Sequence, residues 1–295
     1  MGLDINGTKF LLYAHTRGVL FESTAMVGRQ NLLVSPTDLA ANFSRFGIFV
    51  DASEASKILA TSFAEPFLGR LGAQEITSFD ASDYEGASVV HDFNRPIPDE
   101  YKGKFSVVLD GGTLEHVFNF PVAIRNCMEM VRVGGHFLSI MPTNNQLGHG
   151  FYQFSPELLY RIFTPANGFE MQQMIIFEES HEGDWYEVSD PDVVKERVIL
   201  INDEPSMLLV IAKKIAEAEI FAESPQQSDY SALWQANGSM PAASSNGHYA
   251  VLGSGATGAA IRGFKHFQRM FNRSFGMLNR RTDHFKKIDP TDKIT

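Results

Sequence analysis

The chain has 295 residues, of which 44% are apolar and 20% charged, and its formal net charge is −10. This size and balance are typical of a globular protein with one large domain, or a domain plus an appendage. The acidic charge argues against nucleic acid as a partner. We expect neither a membrane-spanning helix nor a secretory signal, because no long uncharged apolar run occurs and the N-terminus lacks a basic region. The single cysteine, Cys127, excludes an internal disulfide and fits a cytoplasmic location.

Alternating helices and strands are predicted over the first 221 residues. Ser35-Pro36 and Ser155-Pro156 each predict a helix start, because serine caps the N-terminus and proline fits the first turn. Continuous apolar runs at 107–109 and 137–141 are typical of strands buried on both faces, as in a parallel sheet. The predicted elements in chain order are helix 8–17, strand 23–30, helix 36–46, a helix from about 51, a broken helix 63–71, strands 75–82, 87–93 and 105–111, helix 121–132, strand 136–142, helix 156–163, and strands 169–179 and 206–215. This pattern predicts an α/β fold with a doubly wound, mostly parallel sheet in a domain covering 1–221.

The composition changes beyond that domain. Residues 222–257 are rich in Ser, Ala, Gly, Gln and Asn, which predicts a flexible linker. Residues 258–295 are predicted to form a basic amphipathic helical tail, with apolar side chains three or four positions apart. Those side chains are Phe264, Phe267, Phe271, Phe275 and Leu278. A basic helix over 258–287 can contact an anionic membrane or an acidic partner, or it can pack on the acidic body within one chain or in a homodimer.

One glycine motif in the linker region resembles a nucleotide-binding string. Gly253-x-Gly255-x-x-Gly258 has the spacing of the dinucleotide fingerprint. That fingerprint requires a βαβ unit with an acid about 20 residues further on. Here a basic helical pattern follows, so we interpret the motif as a glycine hinge.

Three aspartates follow successive apolar strands: Asp80, Asp92 and Asp110. Because the carboxyl ends of parallel strands meet where ligands bind, we expect all three along one crevice. An acid after the second strand can accept both ribose hydroxyls, and an acid after the third can accept the amino group of adenine. A turn-forming role is the alternative for each, since aspartate favours turns.

Residues 105–142, FSVVLDGGTLEHVFNFPVAIRNCMEMVRVGGHFLSIMP, resemble the central part of class I S-adenosylmethionine-dependent methyltransferases. The shared features are a strand ending in an acid, a Leu-Glu-His-Val turn and a Gly-Gly before the next strand. The resemblance covers roughly 75–215. It implies a seven-stranded Rossmann-like methyltransferase fold with S-adenosylmethionine as cofactor. It also implies methyl transfer to an O or N acceptor on a small molecule or glycan precursor.

The same resemblance assigns candidate residues for the methyl donor. It implies that Asp80 holds the ribose and Asp92 the adenine region. It places Asp110, Gly111 and Glu115 along the rest of the donor site.

The first loop departs from the family pattern. The family has an acid and a Gly-rich loop after its first strand, whereas this chain keeps Gly28 and has Arg29 and Gln30 in place of small residues. Glycines matter in such a loop because they allow the backbone to approach the cofactor closely. Two interpretations follow: Gly28, Arg29 and Gln30 bind the donor in another way, or the chain is a catalytically inactive binding or scaffold protein.

The acceptor side has three candidate catalytic residues. His149 is the first, because it lies between glycines in the loop GHGFYQFSP; His116 is the second, and Tyr152 is placed to orient an acceptor. The alternatives are that His149 caps a backbone group and that His116 packs in the first turn of a helix. We expect no metal site, because no Cys or His cluster has the spacing of metal ligands.

Overall fold

One twisted sheet organises the protein, with helices on both of its faces. The computed structural model describes residues 2–179, 183–236 and 284–292. The helices are α1 Ile5–Thr16, α2 Pro36–Arg45, α3 Ala52–Ile58, α4 Glu65–Arg70, α5 Phe120–Met130, α6 Pro156–Ile162, α7 Pro191–Val194 and α8 Ser228–Ala236. The strands are β1 Gly2–Leu3, β2 Ser23–Val27, β3 Asn31–Leu32, β4 Glu75–Asp80, β5 Val89–Val90, β6 Phe105–Asp110, β7 Val131–Pro142, β8 Phe169–Glu178, β9 Trp185–Val188, β10 Ser206–Lys214 and β11 Phe285–Ile288.

The strand order defines the fold. Across the main sheet the order is β5-β4-β2-β6-β7-β10-β8-β9-β11, while β1 and β3 form a separate parallel pair. The first five strands of the main sheet are parallel, in the doubly wound order 3-2-1-4-5. The chain moves outward from β2 to β4 and β5, then returns to β6 on the other side of β2. The topological switch point therefore lies between β2 and β6, and the predicted doubly wound, Rossmann-like α/β fold is confirmed.

The sheet is larger and less parallel than predicted. It has nine strands rather than seven among the described residues, because β9 and β11 extend the edge beyond β8. The pairings from β7 to β11 are all antiparallel. Only β10 and β9 are reversed relative to the rest, so the strands still run mostly in one direction.

The C-terminal segment differs from its prediction at both places where it is described. Helix α8 lies inside the predicted linker 222–257. Strand β11 lies inside the predicted helical tail 258–295, where Phe285 is buried and pairs with Val188 of β9. The helical prediction is therefore wrong for 285–288, because pairing with a strand about 100 positions earlier overrides the local helical pattern. The predicted phenylalanine face at 264–278 and the glycine motif at 253–258 lie outside the described residues.

Both faces of the sheet are buried, as the continuous apolar runs predict. Successive residues of β2 alternate between two clusters: Ala25 and Val27 belong to one and Met26 to the other. The first cluster also contains residues of α5 and α6, including Cys127, which is fully buried. The second contains residues of α1 to α4, such as Phe43. The sheet is thus the middle of three layers.

The two predicted helix caps are confirmed. Ser35 Oγ accepts a hydrogen bond from the Asp38 backbone N–H at 3.1 Å, and Ser155 Oγ accepts one from Leu158 at 3.2 Å. Proline occupies the first turn of both helices. Within the described ranges, no helix has the length and apolar character needed to cross a membrane.

Candidate functional site

The loops after β2, β4 and β6 converge at the switch point. Val27 at the end of β2 pairs with Asp110 at the end of β6. Gly28 follows with a φ of +74° and donates its N–H to the carbonyl of Phe79 in β4 at 2.7 Å. Gly112, after β6, has a φ of +93°, which favours glycine. The carboxyl ends of these three strands therefore form one edge, as predicted.

Asp110 supports this edge from inside the protein. Its side chain is fully buried, with Oδ1 accepting hydrogen bonds from the N–H groups of Thr113 at 2.9 Å and Leu114 at 3.3 Å. Its Oδ2 accepts one from Ser139 Oγ at 2.8 Å. Burial, followed by the nearby charge of Glu115, raises the pKa of Asp110 to about 7. Asp110 therefore positions the turn at 111–114, and its contact with the cofactor stays a prediction.

Gln30 lies at the switch point itself. It is fully buried, and its Nε2 donates to the carbonyls of Val27 at 3.0 Å and Gly28 at 3.1 Å. A Cβ added at Gly111 would lie 2.5 Å from Gln30 Oε1, so a larger residue there would have to displace the Gln30 amide. That oxygen is buried and has no hydrogen-bond partner among the described residues. Gln30 therefore presents an unpaired acceptor beside Gly111.

Arg29 is held between the loops after β2 and β4. Its Nε is 2.7 Å from Glu65 Oε1, and its guanidinium lies 3.8 Å from the ring centre of Phe63. Its Nη1 donates to the carbonyl of Glu85 at 2.7 Å and to that of Gly86 at 3.1 Å. The predicted donor-binding residue thus makes structural contacts through its whole side chain.

Asp80 and Asp92 occupy different surroundings. Asp80 ends β4 at the same edge as Gly28 and is half-buried, with Oδ1 3.4 Å from the Ser82 N–H. Asp92 is exposed, and its Oδ1 accepts hydrogen bonds from the backbone N–H and the side chain of Asn94. The backbone hydrogen bond from Asn94 is the main cause of the lowered pKa of Asp92. Asp92 therefore makes the contacts of a turn, and its role at the adenine region stays a prediction.

Glu115 is a buried acid in the segment that follows β6. It lies in a short 3₁₀ turn, and neither of its carboxylate oxygens has a hydrogen-bond partner within the described part of the chain. Burial raises its pKa to about 7. Its backbone carbonyl accepts a hydrogen bond from the Phe151 N–H at 2.7 Å, and a Cβ at Gly150 would lie 2.8 Å from the same oxygen. The loop after β7 is therefore pressed against the 3₁₀ turn.

This contact brings the two predicted catalytic histidines together. The rings of His116 and His149 have centroids 5.4 Å apart, and His149 Nε2 lies 3.3 Å from Glu115 Oε1. Burial, and then the charge of His149, lower the pKa of His116. One ligand atom from each of these three residues lies within 4.8 Å of the others. The fold thus joins possible metal ligands 33 positions apart in sequence, a grouping that sequence spacing did not reveal, and the expectation of no metal site stays a prediction.

The hydroxyl of Tyr152 forms a hydrogen bond within the protein. Its hydroxyl donates to the carbonyl of Phe118 at 2.6 Å. Its ring stacks on Phe154 at 6.1 Å between centroids and lies near Phe120 at 5.9 Å. Tyr152 therefore helps to hold the loop after β7 against the segment that follows the 3₁₀ turn, and its role in orienting an acceptor stays a prediction.

Sequence reasoning missed an apolar rim around the histidines. Phe118 and Phe151 pack edge to face, with ring centroids 5.8 Å apart, yet they remain 73% and 66% exposed. Leu147, two positions before His149, is 90% exposed. A cavity of about 230 Å³ adjoins the same loop, between Thr143, Asn144, Gln153 and Phe154. The Phe118–Phe151 pair thus exposes apolar ring surface close in sequence to both histidines.

No family model and no curated protein matches the chain. Similar solved structures include a SAM-dependent methyltransferase from Methanosarcina mazei, at 12% identity and TM-score 0.38, covering 68% of this chain and 97% of that one. Another is 1,6-didemethyltoxoflavin-N1-methyltransferase from Burkholderia thailandensis with S-adenosylhomocysteine bound, at 12% identity and TM-score 0.37, covering 72% and 78%. A third is the N-methyltransferase NodS from Bradyrhizobium japonicum, at 11% identity and TM-score 0.35, covering 70% and 95%. The fold assignment rests on the strand order and register, which show a doubly wound, Rossmann-like α/β sheet with an antiparallel edge beyond β7.

Proposed function

We propose that the protein transfers the methyl group of S-adenosylmethionine to an oxygen or nitrogen of a small molecule. The observation that carries this proposal is the buried carboxylate of Glu115 beside the switch point, which accepts no hydrogen bond and has the half-exposed His149 ring 3.3 Å away. An isolated buried carboxylate is costly unless a cation or donor pairs with it. A ligand bearing a positive charge at this position removes that cost.

The residues at the switch point fit the charged end of the donor. S-adenosylmethionine carries an ammonium and a sulfonium group. Glu115 and Gln30 Oε1 offer acceptors without hydrogen-bond partners next to Gly112 and Gly111. We assign Glu115, Gln30 and Gly111 to the methionine end and Asp80 to the ribose hydroxyls. When bound, the donor supplies an electrophilic methyl group, and the protein contributes mainly proximity and orientation.

The acceptor is assigned to the mouth formed by His116 and His149. A lowered pKa keeps His116 neutral near pH 7, so its ring can accept a proton from the acceptor O–H or N–H. Phe118 and Phe151 offer exposed ring faces on which an apolar or ring-shaped part of the acceptor can pack. These surroundings favour a small molecule with an apolar face over a highly charged acceptor.

A second candidate function is that of an inactive binding or scaffold protein. It is favoured by Arg29, whose guanidinium joins Glu65 to the loop at 85–86 where the adenosine end of a donor would lie. A methyl donor could bind in that region only if these contacts rearranged.

Calorimetric titration with S-adenosylmethionine and S-adenosylhomocysteine tests both functions. The methyltransferase proposal predicts binding of both ligands. It also predicts that Asp80→Asn weakens binding by roughly 10- to 100-fold, since hydrogen bonds to a charged group contribute about 1.5–3 kcal/mol. Asp99→Asn, at the opposite edge of the sheet before β6, is the matched control and should bind like the wild type.

Two outcomes would contradict these assignments. No heat of binding at millimolar ligand would overturn the enzyme proposal and favour the scaffold. Unchanged affinity in Asp80→Asn would leave the enzyme proposal standing but remove Asp80 from the ribose site.

A further inference from the structure

We propose that Glu115, His116 and His149 form a binding site for a divalent metal ion of the zinc type, with an open coordination position. Two imidazoles and one carboxylate are a ligand set that zinc uses where a further ligand or water completes the coordination. The proposal concerns these three side chains and does not depend on binding of a methyl donor. With the ion bound, Glu115 pairs with the metal in place of the donor's ammonium group, and the ion takes over activation of the acceptor from a free His116 ring.

The separation of two ligand atoms fits a shared ion. His149 Nε2 and Glu115 Oε1 are 3.3 Å apart, but Glu115 Oε1 has no partner with hydrogen-bond geometry. Bonds of about 2.0–2.1 Å to a tetrahedral ion place neighbouring ligand atoms about 3.3–3.4 Å apart. The pair therefore has the spacing of two ligands on one ion.

His116 supplies the third ligand after a small adjustment. Its ligand atom lies within 4.8 Å of the other two, which is wider than a tetrahedral edge. The side chain is exposed, so a change of its torsion angles can close the remaining gap without disturbing the core. The exposed faces of His116 and His149 also leave room for a further ligand from solvent.

The backbone around the three residues is already organised. Glu115 and His116 are adjacent in the 3₁₀ turn that Asp110 supports. The loop bearing His149 is fixed to this turn by the hydrogen bond from the Phe151 N–H to the Glu115 carbonyl and by the one from the Tyr152 hydroxyl to Phe118. A ligand set on fixed backbone loses little entropy when an ion binds.

The buried acid is the second, independent sign of a cation. Glu115 is fully buried, and in the described ranges neither of its oxygens accepts a hydrogen bond, the 3.3 Å approach of His149 Nε2 lacking that geometry. A divalent ion on Oε1 would neutralise this charge. An oxygen or nitrogen of the acceptor could then occupy the open position and be polarised by the ion.

Cobalt titration of the metal-free full-length protein tests the site. Chelator-treated protein is titrated with Co²⁺ alone, and the strong visible absorption of four-coordinate cobalt is recorded before and after addition of Zn²⁺. We expect the cobalt spectrum to appear and then to disappear as zinc displaces it. His149→Ala should weaken cobalt binding by at least the roughly 10- to 100-fold that loss of an outer-shell partner costs.

Control variants separate this site from other histidines and from misfolding. His91→Ala is the matched histidine control, because its ring contacts the Arg95 carbonyl and Phe93, and it should bind cobalt like the wild type. Glu115→Gln should lose cobalt binding while its far-ultraviolet circular dichroism stays unchanged. If it fails to fold, the exposed His149→Ala and His116→Ala variants decide the result.

The metal proposal is overturned if no cobalt spectrum appears, or if His149→Ala and the wild type bind cobalt equally well. Titration of the same variants with S-adenosylhomocysteine keeps this result distinct from the proposed function. If the wild type binds S-adenosylhomocysteine but shows no cobalt spectrum, the metal site alone is rejected and the proposed function stands.

Discussion

Asp110 provides a direct test of how the candidate site is built. Its carboxylate accepts hydrogen bonds from two consecutive backbone N–H groups, those of Thr113 and Leu114, and from the Ser139 hydroxyl. If the side chain positions the turn, an isosteric amide should preserve the turn and a methyl group should not. Asp110→Asn and Asp110→Ala are therefore the informative pair.

The expected magnitude follows from these three contacts. In Asp110→Ala, the N–H groups and the hydroxyl lose their acceptor, and an unsatisfied buried donor costs about 1–3 kcal/mol. The Ser139 hydroxyl can rotate to another acceptor and the turn can relax, so the total cost is smaller than three separate losses. The free energy of unfolding should therefore fall by roughly 3–5 kcal/mol. Asp110→Asn keeps the Oδ1 acceptor, and the Ser139 hydroxyl can rotate to accept from the new amide, so the change should stay within about 1 kcal/mol.

Urea unfolding at pH 6.5 measures both variants. Trp185 is 1% exposed and reports loss of the core by fluorescence, and circular dichroism gives a second probe of the same transition. An unfolding free energy of Asp110→Ala within about 1 kcal/mol of the wild type would refute the positioning role. Asp110→Asn should also retain S-adenosylhomocysteine binding; selective loss of that binding in a stable Asn variant would return Asp110 to direct contact with the ligand.

Two further predictions concern buried polar groups of the scaffold. Burial, with the charge of Lys213 adding to it, lowers the pKa of His136 to about 4. Below pH 6.5, His136 is therefore protonated in the unfolded chain but stays neutral in the native state down to about pH 4. The free energy of unfolding therefore falls as the pH falls through this range. Between pH 7.5 and 5 this loss amounts to about 2 kcal/mol; His136→Gln should remove it in urea titrations, and an unchanged pH dependence would contradict the assignment. Asn126 accepts from the Ile97 N–H at 2.9 Å and donates to the Arg95 carbonyl at 2.7 Å. Asn126→Ala leaves both groups unpaired, so thermal and urea unfolding should show a loss of roughly 2–4 kcal/mol, and a loss below about 1 kcal/mol would mean that water replaces the amide.

The parts of the fold that were predictable from sequence are those set by local chemistry. The caps at Ser35 and Ser155 follow from a side chain and a backbone N–H three positions apart. The buried strands follow from apolar runs, and Asp80 and Asp110 were placed at the correct edge because they end such runs. Each of these signals lies within a few residues of the feature it predicts.

The features that were missed depend on contacts distant in sequence. Strand β11 exists because Phe285 reaches a core built by residues about 100 positions earlier. His116 and His149 come together only because the loop after β7 folds onto the 3₁₀ turn. Their spacing in the sequence does not indicate this contact. The absence of glycines after Gly28 was visible in sequence, but only the structure places the Gln30 amide over Gly111.

Glu115 links the proposed function to the proposed metal site, and its contribution to stability tests whether a ligand belongs there. A buried carboxylate without a partner lowers stability, whereas a neutral side chain of the same shape removes most of that cost. In ligand-free protein, Glu115→Gln should therefore raise the free energy of unfolding by about 1–3 kcal/mol, measured by urea unfolding in the presence of a chelator.

Glu157→Gln is the matched control, because Glu157 accepts hydrogen bonds from Ser228 and lies near Arg161, so its substitution should give no gain. A cation that binds the native state should reverse the order of stability, since wild type gains RT ln(1 + [L]/Kd) and Glu115→Gln does not. Equal stability of wild type and Glu115→Gln under both conditions would mean that the acid is already paired, and neither a donor ammonium nor a metal ion would then be needed to explain it.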